Sequence, residues 1–93
     1  MVSKVNASHI LVKTGGEAYV ALKEIRDGKS FEDVAQAKSL CPSRKKGGSL
    51  GWFGRGRMVK EFEVAAFAGK KGQIVGPIKT QFGWHIIRVD DVQ

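Results

Sequence analysis

The sequence contains few residues that could lock its fold covalently or anchor it in a membrane. Cys41 is its one cysteine, so the chain cannot close a disulfide within itself. No apolar run approaches the roughly 20 residues that a membrane-spanning helix needs. The first residues, Met1 to Lys4, lead into no apolar signal-peptide core. These absences predict a cytoplasmic protein, with peripheral contact as its remaining membrane option.

Length and composition predict a single domain over residues 1–93. The chain is 42% hydrophobic and 27% charged, close to the averages of globular proteins. A chain of 93 residues fills one hydrophobic core and is too short for two. We therefore expect one domain that folds alone, as a monomer.

Negative charge is scarce, since nine acidic residues face sixteen basic ones and the formal net charge is +7. Such a surface attracts nucleic acid, anionic lipid or acidic polypeptide without selecting among them. A binding module for nucleic acid or anionic membrane is therefore one functional hypothesis, and it predicts salt-sensitive binding. Weak binding of anionic surfaces is expected through the cations that flank the cysteine segment, Arg44, Lys45, Lys46, Arg55 and Arg57.

The hydrophobic patterns predict an α+β domain. Residues 7–12 carry apolar side chains on both faces, which indicates a central strand, and a helix is expected near residues 16–27. Ser30 is a candidate N-cap for a second helix, which must end before Pro42 and leaves Cys41 on a loop or strand entry. A short strand near Leu50 to Phe53, a third helix and a closing β-hairpin around Phe82-Gly83 follow. The predicted order is β-α-α-β-α-β-β.

Two histidines and the cysteine are the candidate reactive groups. His9 lies on the strand face of Ala7 and Leu11, and His85 shares a face with Ile87. If the two strands are neighbours, the imidazoles can meet; otherwise each is a buried histidine bonded to the backbone.

Cys41 allows three interpretations. A free cysteine often only fills space in a core, whereas the three cations that follow Pro42 would favour a thiolate. A cysteine hydrolase is the more distant hypothesis, because the sequence supplies no recognisable oxyanion hole. One cysteine and two distant histidines fall short of a structural zinc set, so we expect no metal.

Leu50, Met58 and Phe62 are spaced like core residues, yet Met58 follows Arg55-Gly56-Arg57. An apolar pocket with a cationic rim is therefore the alternative to a plain core. Gly47-Gly48 lacks the lysine and the strand–helix setting of a phosphate-binding loop, which argues against nucleotide binding.

Four motifs give the chain a close resemblance to parvulin-type peptidyl-prolyl cis/trans isomerases over nearly its whole length. They are His-Ile-Leu-Val-Lys from residue 9, Cys-Pro-Ser with Gly-Gly-x-Leu-Gly-x-Phe, Gly-x-Met-Val-x-x-Phe, and Lys-Thr-Gln-Phe-Gly-x-His-Ile-Ile. The resemblance implies a four-stranded antiparallel sheet surrounded by about four helices. It also implies an enzyme that needs no cofactor and acts on proline-containing polypeptides.

Carried over by motif, the resemblance implies specific roles. His9, Cys41, Thr80 and His85 would form a polar network; Leu50, Met58 and Phe62 would hold the substrate proline ring; Ser43 and Phe82 would lie at its edge. Two positions depart from relatives: Leu40 replaces an acidic residue of the phosphate-directed branch, and Ser49 replaces a common aspartate. Relatives that require phosphate carry a basic cluster after the first strand, where this chain has only Lys13, so we expect no phosphate requirement. Because rotation about the bond need not make or break a covalent bond, we expect a non-covalent mechanism, and Cys41 as a nucleophile on the carbonyl is the minority hypothesis.

Overall fold

The computed structural model describes residues 2–93 and confirms the predicted order of elements. The strands and helices are β1 (Lys4–Val12), α1 (Gly15–Arg26), α2 (Phe31–Lys38), a short 3-10 helix (Pro42–Lys46), β2 (Ser49–Gly54), α3 (Lys60–Ala68), β3 (Ile74–Thr80) and β4 (Gly83–Val92). The fourth of the expected helices is thus the 3-10 turn that begins directly after Cys41. Among residues 2–93, no helix is both long enough and apolar enough to cross a membrane.

The four strands form one antiparallel sheet in the order β2-β1-β4-β3. The first and last strands of the chain are therefore its two central strands, which explains why β1 is apolar on both faces. Their register pairs His9 with Ile87 and Leu11 with His85. Pro77 lies in the edge strand β3, where a missing N–H interrupts no ladder on the outer side.

The structure has two hydrophobic cores, one on each face of the sheet, where the chain length predicted a single core; the sheet itself divides the interior into two layers. On one face, α1 and α2 pack against one set of strand residues, with Ile10 and Ile86 fully buried at its centre. On the other face, α3 packs through Phe62, Ala66 and Phe67 against the set that contains Ile87. The histidines of β1 and β4 belong to this second face.

Two helices begin at capping side chains. The Thr14 hydroxyl accepts a hydrogen bond from the Glu17 N–H at 3.1 Å, and the Ser30 hydroxyl accepts one from the Asp33 N–H at 3.0 Å. The predicted Ser30 cap is therefore confirmed. Each cap satisfies a backbone donor that the first helical turn leaves without a partner.

Residues 39–48, which we call the Cys41 loop, are attached to β1 at both ends. At the first end, buried Ser39 accepts hydrogen bonds through its Oγ from the N–H groups of Leu11 (3.1 Å) and Cys41 (3.3 Å). At the second end, the His9 N–H donates to the Gly48 carbonyl at 2.9 Å. The loop therefore runs alongside the strand that carries His9.

Gly48 makes the second attachment sterically demanding. Its φ is +90°, and a Cβ at this position would lie 2.5 Å from the His9 carbonyl oxygen. Only glycine combines this backbone conformation with so close an approach. The requirement explains one of the glycines that follow the cationic run.

A polar network on the helix side of the sheet supports the same loop from behind. The Arg88 guanidinium donates to Asp90 at 2.6 Å and to Glu32 at 3.0 Å, and Ser8 donates to Asp90 at 2.7 Å. The hydrogen bond from Arg88 lowers the pKa of Glu32. Glu32 in turn packs so closely on Gly47 that a Cβ there would lie 2.7 Å from its Cγ. The sheet, α2 and the Cys41 loop are thereby joined.

Candidate active site

His9 and His85 meet on the α3 face of the sheet. Their Nδ1 atoms lie 3.0 Å apart, and the ring planes are stacked with centroids 5.2 Å apart and an interplanar angle of 19°. The side chains meet diagonally, because His85 pairs across the ladder with Leu11, two residues beyond His9. The two rings are buried, with 5% of His9 and 4% of His85 exposed. The two strands are neighbours and the imidazoles meet, as the first sequence hypothesis required; the alternative, a buried histidine bonded to the backbone, does not describe either ring, because their hydrogen bonds join them to each other and to Thr80.

Thr80 fixes how protons are distributed over this pair. Its Oγ1 accepts a hydrogen bond from the Phe82 N–H at 3.1 Å and lies 2.7 Å from His85 Nε2. If the hydroxyl donates to His85 Nε2, His85 carries its proton on Nδ1 and donates it to His9 Nδ1. Within the network of His9, His85 and Thr80, this assignment leaves only His9 Nε2 without a partner among residues 2–93. The opposite tautomer would also leave the Thr80 hydroxyl without an acceptor, so we assign the first.

Both imidazoles are neutral at physiological pH. Burial, together with the nearby His85, lowers the pKa of His9 from 6.5 to about 4. Burial also lowers the pKa of His85. A positive charge on either ring would lie in a desolvated site, and no carboxylate of residues 2–93 lies within 4.0 Å of either ring to balance it.

Phe62 joins the histidine pair to the rest of the site. Its ring meets His9 edge-on at a centroid distance of 5.5 Å and His85 at 5.3 Å, with interplanar angles of 79° and 82°. It also packs against Phe53 at 6.0 Å. The N-terminal turn of α3 therefore presents an aromatic ring that is held by two imidazoles on one side.

An apolar pocket of about 470 Å³ opens above these rings. Leu50 from β2, Met58 from the turn before α3, and Phe62 line it, and these are the three residues for which the family resemblance implied contact with the proline ring. Seven of the nine predicted site residues contribute to its wall: His9, Cys41, Leu50, Met58, Phe62, Phe82 and His85.

The other two predicted residues stand apart from the wall. Thr80 lies behind His85 and is linked to the pocket through its hydrogen bond to that ring. Ser43 lies within the 3-10 helix and does not line the pocket; its buried hydroxyl finds no hydrogen-bond partner among residues 2–93. Five further wall residues were not among the predicted site residues: Leu11, Leu40, Pro42, Arg57 and Val59. The sequence could have indicated two of these wall residues, because Leu11 shares the strand face of His9 and Pro42 directly follows Cys41.

Comparison with known proteins places this geometry in a family. A model of the PPIC-type PPIase (rotamase) domain matches residues 9–91. The chain is 48% identical over 91 residues to foldase protein PrsA 1 of Bacillus cereus, an alignment that covers 97% of this chain and 32% of that protein. The chain thus spans about a third of the length of the curated relatives it first matches.

Solved structures give the same result. The peptidylprolyl isomerase PrsA of Bacillus anthracis superposes with a TM-score of 0.96 at 41% identity, covering 99% of this chain and 43% of that one. NmPin, the parvulin of Nitrosopumilus maritimus, superposes with a TM-score of 0.85 at 41% identity, covering 96% of this chain and 97% of that one. The predicted resemblance and the predicted four-stranded antiparallel fold are both confirmed.

The neutral histidine pair predicts a specific loss of stability in mild acid. The folded-state pKa of His9, about 4, lies below the unfolded value of 6.5. The unfolded chain therefore binds a proton first, and stability that is complete above about pH 6.5 is lost as the pH falls toward 4. For His9 alone the loss between pH 7 and pH 5 is about 2 kcal/mol.

This loss is measured by urea unfolding at both pH values, with His9→Asn as the matched variant. The Asn variant lacks the titrating ring, so its free energy of unfolding should fall by about 2 kcal/mol less than that of the wild type over the same interval. Equal losses in the two proteins would show that His9 titrates normally and would contradict the buried neutral pair.

Proposed function

The chain belongs to the PPIC-type peptidyl-prolyl isomerase (parvulin) domain family, and from that premise we propose that it accelerates rotation about X-Pro bonds in folding polypeptides. This proposal rests on the apolar pocket of about 470 Å³, whose base contains the hydrogen-bonded, neutral pair His9 and His85. We further propose that residues 1–93 act as one catalytic domain. The proposed substrates are proline-containing polypeptides.

Rotation about an X-Pro bond can be accelerated by an apolar pocket without chemically reactive side chains. Rotation about a peptide bond is opposed by amide resonance, with a barrier of about 18–20 kcal/mol. Resonance separates charge in the planar amide, and this separation is lost when the bond twists. An apolar surrounding therefore disfavours the planar ground state more than the twisted transition state. Leu50, Met58 and Phe62 supply such a surrounding for the proline ring.

The polar network has a positioning role in this proposal. Neutral rings at His9 and His85 keep the base of the pocket free of charge, and their edge contacts hold Phe62 in place. Thr80 orients His85 and also accepts from the Phe82 N–H, which places the Phe82 ring at the pocket edge. Holding the proline ring in one orientation restricts the bound chain to geometries close to the rotating one.

Cys41 is proposed to tune the site without forming a bond to the substrate. Cys41 lines the pocket, and its backbone N–H donates a hydrogen bond to Ser39 Oγ at 3.3 Å. Cys41 thus belongs to the same pocket wall as His9 and His85. The reaction breaks no covalent bond, so it requires no nucleophile.

The alternative of a basic-surface binding module finds no support in the comparisons, which place the chain among isomerases and foldases. Weak binding of anionic surfaces through Arg44, Lys45, Lys46, Arg55 and Arg57 stays a prediction. The monomeric state and the cytoplasmic location stay predictions as well, and sedimentation and cell fractionation test them.

Truncation of the pocket tests the proposed function most simply. Met58→Ala removes apolar contact with the proline ring worth on the order of 1–2 kcal/mol, so kcat/KM should fall about tenfold in a protease-coupled proline isomerisation assay. Val64→Ala is the matched control, because Val64 is apolar, 56% exposed and belongs to α3 outside the pocket wall. A wild type without catalysis, or equal rates for Met58→Ala and the control, would contradict the proposal.

Replacement of the cysteine separates the two mechanisms. Cys41→Asp should retain substantial isomerase activity, within about tenfold of the wild type, because the thiol forms no obligatory adduct. Removal of an obligatory nucleophile costs on the order of 10⁴-fold or more. Retained activity would exclude an obligatory thiolate adduct, whereas a loss of that size in a variant that still folds, as judged by circular dichroism, would contradict the proposed tuning role of Cys41.

The turn after β1 predicts that phosphate is not required. Lys13 is its one cation, and the Thr14 hydroxyl is engaged in capping α1. Peptides X-Pro with Glu, Leu or phosphoserine at X should therefore be isomerised at rates that differ by much less than 100-fold. A dedicated phosphate site with two charge-assisted hydrogen bonds would favour phosphoserine by about 100-fold or more, and that result would overturn the prediction.

A further inference from the structure

The pocket wall contains one permanently charged side chain, that of Arg57. The remaining polar wall residues are the two neutral histidines and Cys41, and the others are apolar. Arg57 lies in the turn between β2 and α3, directly before Met58, and is exposed. A guanidinium therefore stands beside the residue that is proposed to contact the proline ring.

The other arginine of this turn already has its partners. The Arg55 guanidinium lies over the Phe67 ring at 4.3 Å from its centroid and 4.0 Å from Glu63 Oε2. The second oxygen of Glu63 accepts a hydrogen bond from the Gly56 N–H. Glu63, the carboxylate that this turn contacts, is thus engaged by Arg55 and Gly56.

Arg57 has no such partner. No carboxylate of residues 2–93 lies within 4.0 Å of its guanidinium, whereas seven ion pairs form elsewhere in this part of the chain. The same wall contains apolar residues, among them Leu11 together with Leu40 and Phe82, which are 62% and 61% exposed. The pocket therefore combines one guanidinium without a carboxylate partner and exposed apolar side chains.

We propose that Arg57 is a specificity-determining residue, which makes this site prefer prolines that have an Asp or Glu within two residues. The inference rests on the proposed isomerase function, because it assigns the chemistry that surrounds the bound proline. Two extended residues span about 7 Å, so only side chains within two positions remain over the pocket. A substrate Asp or Glu within two positions of the proline would supply the negative partner that no carboxylate of residues 2–93 provides to Arg57.

The expected preference is modest and sensitive to salt. An ion pair between an exposed guanidinium and a substrate carboxylate stabilises the bound substrate by up to about 1 kcal/mol. This corresponds to a kcat/KM that is about two- to fivefold higher for the acidic substrate than for its neutral counterpart. The Debye length, over which salt screens exposed charges, is about 10 Å at 0.1 M salt and about 3 Å at 1 M. The ratio of kcat/KM for acidic over neutral substrates should therefore fall toward one as the salt concentration is raised.

The test uses paired peptides that differ only by Glu or Gln at each of the two positions before and after a single proline. The ratio of kcat/KM for Glu over Gln is measured for the wild type, Arg57→Gln, Arg57→Glu and Arg44→Gln. Arg44 is the matched control, since it is an exposed cation of the 3-10 helix that does not line the pocket. A third peptide with Lys at the favoured position completes the series.

We expect a Glu/Gln ratio of about two- to fivefold in at least one position for the wild type and for Arg44→Gln. The ratio should fall to about one in Arg57→Gln, and Arg57→Glu should favour the Lys peptide instead. A ratio of one throughout in an active wild type would overturn the inference and leave the isomerase function standing. So would a ratio that survives in Arg57→Gln and disappears in Arg44→Gln. Absence of turnover of every peptide would instead overturn the proposed function.

Discussion

The proton shared between His9 and His85 is the interaction on which the site depends. Their Nδ1 atoms are 3.0 Å apart, so one nitrogen must donate while the other accepts. Two cationic rings at this distance, buried without a carboxylate, would repel each other and lose their hydration. Burial keeps both rings neutral, and the Thr80 hydroxyl selects which nitrogen of His85 carries the proton.

Elements of the surrounding fold position this neutral histidine pair and the residues that contact it. The diagonal register of the two central strands brings the rings together, and α3 places Phe62 across both edges. The Cys41 loop is attached to the same strand at Leu11 and His9. The result is a pocket with an uncharged floor, while formal charge is confined to the mouth. This separation suits a reaction in which the ground state is more polar than the twisted transition state.

Several features of the site followed from sequence patterns alone. Alternation along β1 and β4 assigned His9 and His85 to inward faces, and apolar residues on both sides of β1 indicated a central strand. The family motifs then implied the trio Leu50, Met58 and Phe62, and the structure places all three in one wall. These predictions rest on periodicities that regular structure enforces.

Other features depend on tertiary contacts that no local pattern encodes. Ser39 directly follows α2, yet its hydroxyl accepts a hydrogen bond from the backbone N–H of Leu11, in a strand 28 positions away in sequence. Arg55 and Arg57 both follow a glycine in the same turn, and the tertiary positions of Glu63 and Phe67 distinguish the paired arginine from the one in the pocket wall. Ser43, assigned by motif to the pocket edge, turns inward within the 3-10 helix, because the conformation of the Cys41 loop is set by its attachments to β1.

Exchange spectroscopy tests most directly whether this pocket accelerates rotation about the X-Pro bond. A peptide with one X-Pro bond would be mixed with a small fraction of ¹⁵N-labelled protein, and cis–trans exchange cross-peaks would be recorded on the peptide. The account predicts cross-peaks on the subsecond timescale, against tens of seconds or more uncatalysed, with shift changes on the protein concentrated at Leu50, Met58 and Phe62. Exchange no faster than in free peptide, or shift changes confined to residues outside the pocket, would contradict it.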